Sequence, residues 1–272
     1  MSPKKLQSVL CTLSLVVLVV TGCSTGSNSE VIVEPLTVYE PKPELEWVHS
    51  IRSAKDTRKK LSELYQDITL IDIHNHAAEN PSAVNEWTKY GIDRIVLFGD
   101  ISEPSAQATD QLAWEHYRKD PSHVYPSFAG FPIYEEEGLS IVQEKLEQGY
   151  LNIGEVAAAS SFSPVVSQVK WKAKHPNDGN LPQIYELAAK YHVPVLLHID
   201  PPNGQPIEHL EKALEQHLDT TLIFGHANAY NTPENIKHLL DKHPNLYIDF
   251  FAGFTAYSPD STLTLKDFVP LM

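Results

Sequence analysis

Seven short runs of apolar, often β-branched residues alternate along the chain with segments that repeat apolar residues at helical spacing. The runs predict buried strands at 69–76, 92–99, 123–131, 150–157, 193–199, 221–226 and 246–250. The segments between them predict helices at 83–90, 106–119, 135–148, 181–191, 206–218 and 232–242. Strands that alternate with helices in this way predict parallel βα units in one α/β domain.

Two folds satisfy a parallel βα pattern, the doubly wound sheet and the (β/α)8 barrel. No glycine-rich nucleotide motif follows any of the predicted strands, which removes the usual reason for a doubly wound sheet. Several of the strands end instead in polar residues, and a barrel builds its active site at those ends. We therefore predict an α/β, TIM-barrel-like (β/α)8 fold in which only seven of the eight βα units are visible.

The N-terminus has the pattern of an exported protein. Lys4 and Lys5 precede an apolar stretch, 6–20, and the sequence that follows, Val20-Thr21-Gly22-Cys23, resembles the lipobox of bacterial lipoproteins. The resemblance implies a signal peptide at 1–22 that is cleaved before Cys23, and a lipid on Cys23 that tethers the protein to the membrane. An uncleaved anchor helix is the alternative. Ser24 resembles the residue that directs lipoproteins to the outer membrane, so we expect a lipid-anchored protein of the bacterial cell envelope that faces the periplasm.

The remaining chain divides into a tether and a domain. Residues 23–43 are rich in Ser, Gly, Glu and Pro and lack a strand or helix period, which is typical of a flexible tether. Residues 44–272 form the predicted barrel domain and begin with one or two amphipathic helices within 44–66.

The charge narrows the range of partners. The formal net charge is -14, and the acidic residues are scattered along the chain. An acidic domain repels phosphate backbones, so nucleic acid is a poor partner, and a small molecule is the expected substrate.

Candidate metal ligands lie at the ends of four predicted strands. His74 and His76 are two residues apart, so on a strand they project from one face. A single histidine at such a position is usually a structural residue, whereas five polar residues on one parallel sheet indicate a cation. Imidazole and carboxylate suit Zn²⁺, with Mn²⁺, Fe²⁺ and Ni²⁺ as alternatives, and we expect one or two ions. The predicted ligands are His74, His76, Glu155, His198 and His226.

These motifs resemble the metal-dependent amidohydrolase superfamily. The matching segments are Ile73-His74-Asn75-His76, Gly154-Glu155, Leu197-His198 and Gly225-His226, and the run 221–250 is similar to the amidohydrolase-related branch. The resemblance implies that His74 and His76 bind one metal ion and that His198 and His226 bind a second. Glu155 would then bridge both ions or bind one of them, as the corresponding Glu does in TatD-type hydrolases.

The chain departs from the family at one catalytic position. The family expects an Asp at the end of the eighth strand, where it binds metal and takes a proton from the hydrolytic water. No apolar strand followed by Asp comes after Phe250, and Asp249, within the seventh strand, is not a convincing replacement. We therefore expect a barrel without its last βα unit, from a truncated gene product or a fragment, and leave the catalytic base unassigned.

The resemblance implies a hydrolase that uses metal-activated water on a C–N or C–O bond of a small molecule. A TatD-type phosphodiesterase or nuclease, or a related decarboxylase, is the alternative among enzymes. A non-catalytic lipoprotein that binds a metal or small ligand is the alternative outside them. Weaker candidates for lining the substrate pocket are Asn228, Tyr230 and Trp171. Trp171 lies in a long loop, 158–180, whose length predicts a lid or a substrate-facing insertion.

Overall fold

The structure is a computed structural model, and it describes residues 69–200, 205–251 and 263–271. Each of the seven predicted strands has a counterpart within these ranges. Their bounds are β1 Ile71–Asn75, β2 Arg94–Leu97, β3 Val124–Phe128, β4 Asn152–Ala159, β5 Val195–Ile199, β6 Leu222–Gly225 and β7 Leu246–Ile248.

Helices connect the strands. Their bounds are α1 Ala83–Thr88, α2 Ala106–Lys119, α3 Glu136–Gln148, α4 Leu181–Tyr191, α5 Gln205–Gln216, α6 Ala227–Tyr230, α7 Pro233–Lys242 and α8 Leu265–Phe268. Short 3-10 turns occupy Val166–Gln168 and Val269–Leu271. The start of α7 follows from its sequence, because the Thr232 side chain accepts a hydrogen bond from the backbone N–H of Asn235, and Pro233 needs no donor at the first position.

The sheet topology settles which α/β fold the chain adopts. All neighbouring strands pair in parallel, and their order in the sheet is the order of the sequence, from β1 to β7. A doubly wound sheet would reverse its strand order at a switch point. The predicted TIM-barrel-like α/β fold is therefore confirmed, with seven strands and no eighth among the residues that the structure describes.

The two outermost strands show that the sheet curls. In a flat sheet, β1 and β7 would lie roughly 29 Å apart, since each of the six steps between neighbouring strands spans about 4.8 Å. Yet Nδ1 of His74, in β1, lies 2.6 Å from Oδ2 of Asp249, which directly follows β7. The curvature therefore brings the carboxyl ends of distant strands to one mouth.

Two layers of apolar side chains stabilise the curl. One layer lies between the sheet and its helices and includes Phe128, Val142 and Leu210. The other includes Phe98, Leu196 and Ile223 from strands across the sheet, together with Val166 and Val169 from the loop after β4. Each fully buried aliphatic or aromatic side chain contributes about 1.5–3 kcal/mol relative to exposure, so these layers fix where the strand ends lie.

The structure differs from the predicted elements in the extent of β4 and in short helical segments that the pattern does not predict, α6 and α8 among them. β4 continues to Ala159, two residues beyond the predicted end, and all eight of its residues are buried. A helix of four residues, α6, follows His226 directly, and the sequence pattern does not predict it. A segment this short contains one turn, so it leaves no repeat for a hydrophobic period to reveal.

Several predictions fall outside the described residues. These are the signal peptide at 1–22, the lipidation of Cys23, the tether at 23–43 and the amphipathic helices within 44–66. In the ranges that the structure does describe, every helix is too short or too polar to span a lipid bilayer.

Candidate metal centre

The centre is built around Glu155, on the fully buried strand β4. Its exposed fraction is 1%, so its charge requires partners. The preceding residue must be glycine, because a Cβ on Gly154 would lie 2.5 Å from the carbonyl oxygen of Leu196, and because Gly154 has a φ of +137°. The close approach of β4 to β5 thus places the Glu155 carboxylate beside the end of β5.

One oxygen of Glu155 and two histidines form what we call the first half-site. Nε2 of His74 and Nε2 of His76 lie 3.2 Å apart, and they lie 3.4 Å and 3.3 Å from Oε2 of Glu155. Ligand atoms about 2.05 Å from a tetrahedral ion lie roughly 3.3 Å from one another. The three atoms therefore have the spacing of metal ligands.

The Nδ1 atoms of both histidines, which we call their outer nitrogens, each lie within hydrogen-bond distance of an acceptor. Nδ1 of His74 lies 2.6 Å from Oδ2 of Asp249, and Nδ1 of His76 lies 2.8 Å from the carbonyl oxygen of Gly99. When these Nδ1–H groups donate, each Nε2 keeps a lone pair that points at the shared centre. This is the arrangement in which a carboxylate or a carbonyl orients a metal-binding imidazole.

The other oxygen of Glu155 faces what we call the second half-site. Nδ1 of His198 and Nε2 of His226 each lie 2.7 Å from Oε1 of Glu155. These distances are those of hydrogen bonds between imidazole N–H groups and a carboxylate oxygen. The three residues can also hold a cation, but each imidazole must first give up the proton that it donates to Glu155.

The charges in the centre shift the pKa values of its members. Burial opposes protonation of His74, yet the Glu155 carboxylate and the bond to Asp249 raise the pKa of His74 to about 10. Burial likewise opposes protonation of His198, and Glu155 and Asp200 raise its pKa to about 9. Burial also disfavours the Glu155 carboxylate, but the neighbouring imidazoles hold its pKa well below the usual range. Without a metal, protons therefore take the place of the cation.

Two carboxylates that the sequence analysis did not assign also belong to this region. Asp249, which its position within a predicted strand disfavours as a site residue, contacts His74 and accepts a hydrogen bond from the backbone N–H of His226 at 3.2 Å. Oδ2 of Asp200 lies 3.3 Å from Nε2 of His198. The spacing His198-x-Asp200 on a strand repeats that of His74-x-His76, and this signal could have identified it.

Aromatic rings border both half-sites. The Phe98 ring lies 4.5 Å from that of His76, and the Phe251 ring lies 5.6 Å from that of His226, measured between centroids. Both pairs meet edge to face, which is a preferred geometry for such rings. One ring of each half-site therefore has an apolar neighbour, although the His76 side chain remains 47% exposed.

The three weaker candidates have different surroundings. Asn228 is buried, and its side chain both donates to the carbonyl oxygen and accepts from the N–H of Phe251, so its polar atoms bind backbone. Trp171 is half-buried in the loop after β4, and its backbone N–H donates to the carbonyl oxygen of Ser102 at 2.8 Å. Tyr230 ends α6, and its side chain lies outside the described part of the chain.

No protein-family model matches this chain, and no curated protein matches its sequence. Among solved structures, a TIM-barrel protein from Bordetella bronchiseptica, Bb4693, of uncharacterised function, is 16% identical with a TM-score of 0.48. The match covers 66% of this chain and 74% of that one.

Two decarboxylases are also similar in structure. 2,6-Dihydroxybenzoate decarboxylase, in complex with 2,6-dihydroxybenzoate, is 10% identical with a TM-score of 0.41, covering 74% of this chain and 95% of that one. A dihydroxybenzoic acid decarboxylase from Polaromonas sp. JS666, with bound manganese and the inhibitor 2-nitroresorcinol, is 9% identical with a TM-score of 0.39, covering 74% and 93%. All of these TM-scores lie below one half, so the likenesses do not bear on function.

Proposed function

We propose that this chain is a metal-dependent hydrolase of the amidohydrolase type, which acts on a C–N or C–O bond of a small molecule. The observation that carries the proposal is the use of both Glu155 oxygens. One oxygen faces His74 and His76, and the other faces His198 and His226. A buried carboxylate ringed by four imidazoles from three other strand ends favours a divalent cation over a purely structural role.

The ligand types suit Zn²⁺, Mn²⁺, Fe²⁺ or Ni²⁺, and the spacing in the first half-site suits a tetrahedral ion such as Zn²⁺. When bound, such an ion lowers the pKa of a water toward neutrality and polarises the oxygen of the scissile bond. His74, His76 and Glu155 would hold it, and Asp249 and the Gly99 carbonyl would keep the two rings in place. The catalytic base stays unassigned.

The walls of the centre favour a small substrate with an apolar or aromatic part. The Phe98 ring is fully buried against His76, whereas the Phe251 ring beside His226 is partly exposed, so an apolar part of a substrate could contact Phe251. The same observation favours a second candidate reaction, decarboxylation of a small aromatic acid, in which a proton replaces CO₂ and no water needs to be activated. The net charge of -14 disfavours the nuclease alternative.

Metal analysis of the purified full-length chain, followed by turnover assays with and without a chelator, tests the proposal. We expect about one or two ions per chain in the wild type and a clear loss in the His74→Ala/His76→Ala variant. Lactones, amides, aromatic acids and phosphodiesters would separate the hydrolase, decarboxylase and nuclease candidates. Unchanged metal content in the double variant would overturn the proposal, and bound metal without turnover of any substrate would favour the non-catalytic lipoprotein.

We also propose that the protein is anchored in the cell envelope through a lipid on Cys23. The support is the sequence Val20-Thr21-Gly22-Cys23 after a basic start and an apolar stretch. Labelling with a radioactive fatty acid in a bacterial host should mark the wild type but not a Cys23→Ser variant. Equal labelling of both proteins would refute this part of the proposal.

A further inference from the structure

A buried carboxylate, Asp200, connects the metal centre to the loop after β4. Asp200 has an exposed fraction of 0%, so all of its acceptor positions must be filled within the protein. Three backbone N–H groups of the loop donate to it, from Ser161 at 2.8 Å, Phe162 at 3.1 Å and Ser163 at 2.8 Å. The Ser160 hydroxyl donates to the same carboxylate. We call this stretch, residues 160–163, the clasp.

The same carboxylate contacts His198 on its other side. Nε2 of His198 lies 3.3 Å from Oδ2 of Asp200, whereas Nδ1 lies 2.7 Å from Oε1 of Glu155. If Nε2–H donates to Asp200, Nδ1 is the nitrogen that is left to bind a cation. Asp200 therefore selects which nitrogen of His198 faces the second half-site.

The clasp and His198 depend on one another through this carboxylate. A carboxylate offers about four lone-pair positions, and five donors surround Asp200. Its position is thus fixed jointly by the clasp and by the ring. Movement of the clasp would carry the carboxylate away from Nε2, and a tilted ring would leave the clasp with a displaced acceptor.

We infer that Asp200 is a positioning residue that couples the ordering of the clasp to cation binding in the second half-site. The inference rests on the proposed metal-dependent function. An ion on Nδ1 of His198 fixes the ring with Nε2–H toward Asp200, and the fixed carboxylate then holds the clasp. By thermodynamic reciprocity, an ordered clasp strengthens binding of that ion. The clasp also holds Val166, whose backbone N–H donates to the Ser163 hydroxyl and whose side chain belongs to the apolar layer that includes Leu196, so occupancy of the second half-site would also set the position of this part of the loop.

The test is a Zn²⁺ titration of the full-length protein against a chromophoric chelator, combined with hydrogen exchange of the clasp amides. In the wild type we expect two binding steps, and the second step should slow exchange of the amides of residues 161–163. Asp200→Asn keeps the shape of the side chain but replaces one acceptor oxygen with an NH₂ group, which cannot accept the hydrogen bonds of the clasp or of His198. We expect the Zn²⁺ affinity of the second step to fall by about 10–100-fold, the usual effect of changing a residue that hydrogen-bonds to a metal ligand. The first step should not change, and the second Zn²⁺ should no longer slow clasp exchange.

A matched variant separates coupling from simple loosening of the loop. Ser160→Ala removes one of the four clasp donors but leaves the contact between Asp200 and His198. The second step should therefore weaken much less than in Asp200→Asn, and the second Zn²⁺ should still slow exchange of the clasp amides. An Asp200→Asn variant that binds the second Zn²⁺ like the wild type would overturn the inference. So would clasp exchange in the wild type that does not respond to the second Zn²⁺, a result that needs no variant to fold. A single binding step in the wild type would overturn it but leave the proposed function standing, whereas no binding at all would overturn both.

Discussion

The two half-sites share one carboxylate yet differ in what holds their histidines. In the first, the outer nitrogens of His74 and His76 bind Asp249 and the Gly99 carbonyl, and the inner nitrogens stand 3.2–3.4 Å from each other and from Glu155. In the second, His198 and His226 both lie within 2.7 Å of one Glu155 oxygen. The first half-site therefore has room for an ion between its ligands, and the second is closed by hydrogen bonds.

Two sets of similar candidate ligands can therefore differ in how ready they are to bind an ion. A pre-organised set of ligands loses little freedom when an ion binds, so the first half-site should bind more tightly. In the second, an ion must replace two short hydrogen bonds to a buried carboxylate, which lowers the net gain. We expect sequential rather than simultaneous filling of the two half-sites.

The largest effect should follow from changing the residue that both half-sites share. In Glu155→Gln, the carboxylate that partners the buried imidazoles is lost, so we expect no bound metal. We also expect a decrease in the free energy of unfolding of about 3–5 kcal/mol, the usual cost of breaking a buried ion pair. Elemental analysis and urea denaturation would measure both. Glu147→Gln, at an exposed carboxylate on α3, is the control, and a Glu155→Gln protein that retained one ion would contradict the central place of this residue.

Single histidine variants should then separate the half-sites. His74→Ala should weaken the tighter ion by more than about 100-fold, which exceeds the effect of removing an outer partner. His226→Ala should leave that ion in place and remove only the weaker one. The two variants are compared in one Zn²⁺ titration with the wild type as reference. Equal losses in both variants would mean that the centre binds its metal as one indivisible site.

The fold and the residues of the two half-sites can be predicted from the sequence. Buried apolar runs with polar residues at their ends predict the barrel, and those polar residues are the ones that the structure brings together, namely His74, His76, Glu155, His198 and His226. The reason is local, because a strand needs an apolar run, and a polar residue at its end reaches the mouth wherever the barrel closes. The fold is confirmed, and the ligand roles stay predictions.

What the sequence did not reveal depends on distances across the sheet. The sequence pattern places Asp249 within a strand, and only the curl that brings β7 next to β1 places it 2.6 Å from His74. The hydrogen bonds to Asp200 come from the loop after β4, which folds back to the end of β5, and no periodic pattern encodes that contact. The division of Glu155 between two half-sites is likewise a property of side-chain rotation, which residue spacing does not report.

A smaller effect should appear in the dependence on pH. The pKa of His74 is raised to about 10 and that of His198 to about 9, both above the value of 6.5 for an unperturbed imidazole. Their protonation therefore stabilises the metal-free protein fully below pH 6.5, and this stability is lost as the pH rises through 9 and 10. We expect the free energy of unfolding in EDTA to fall by several kcal/mol across this range, since each pKa unit corresponds to about 1.4 kcal/mol. The affinity for Zn²⁺ should rise over the same range, because binding releases protons.

The metal-loaded protein is the control for the pH experiment. Its ligand nitrogens have already lost their protons, so its stability should not show the same fall. Urea midpoints measured between pH 6.5 and 10, with EDTA and with Zn²⁺, would make the comparison. A metal-free profile that stays flat would mean that these imidazoles do not carry the protons assigned to them.

The smallest effect is expected for Asp249, which contacts the outer nitrogen of His74 and the backbone N–H of His226. Asp249→Asn keeps the shape of the side chain, but it can turn an amide group toward Nδ1–H of His74 and so release the ring. We expect the tighter ion to weaken by about 10–100-fold, while the second Zn²⁺ step keeps its affinity. If the second step weakened instead, the contact of Asp249 with the backbone N–H of His226 would matter more than its bond to His74, because that N–H lies only 3.2 Å from the same oxygen. The two half-sites would then share two carboxylates, Glu155 and Asp249. In that case the difference in affinity between the half-sites could not be explained by Asp249 supporting the first half-site alone.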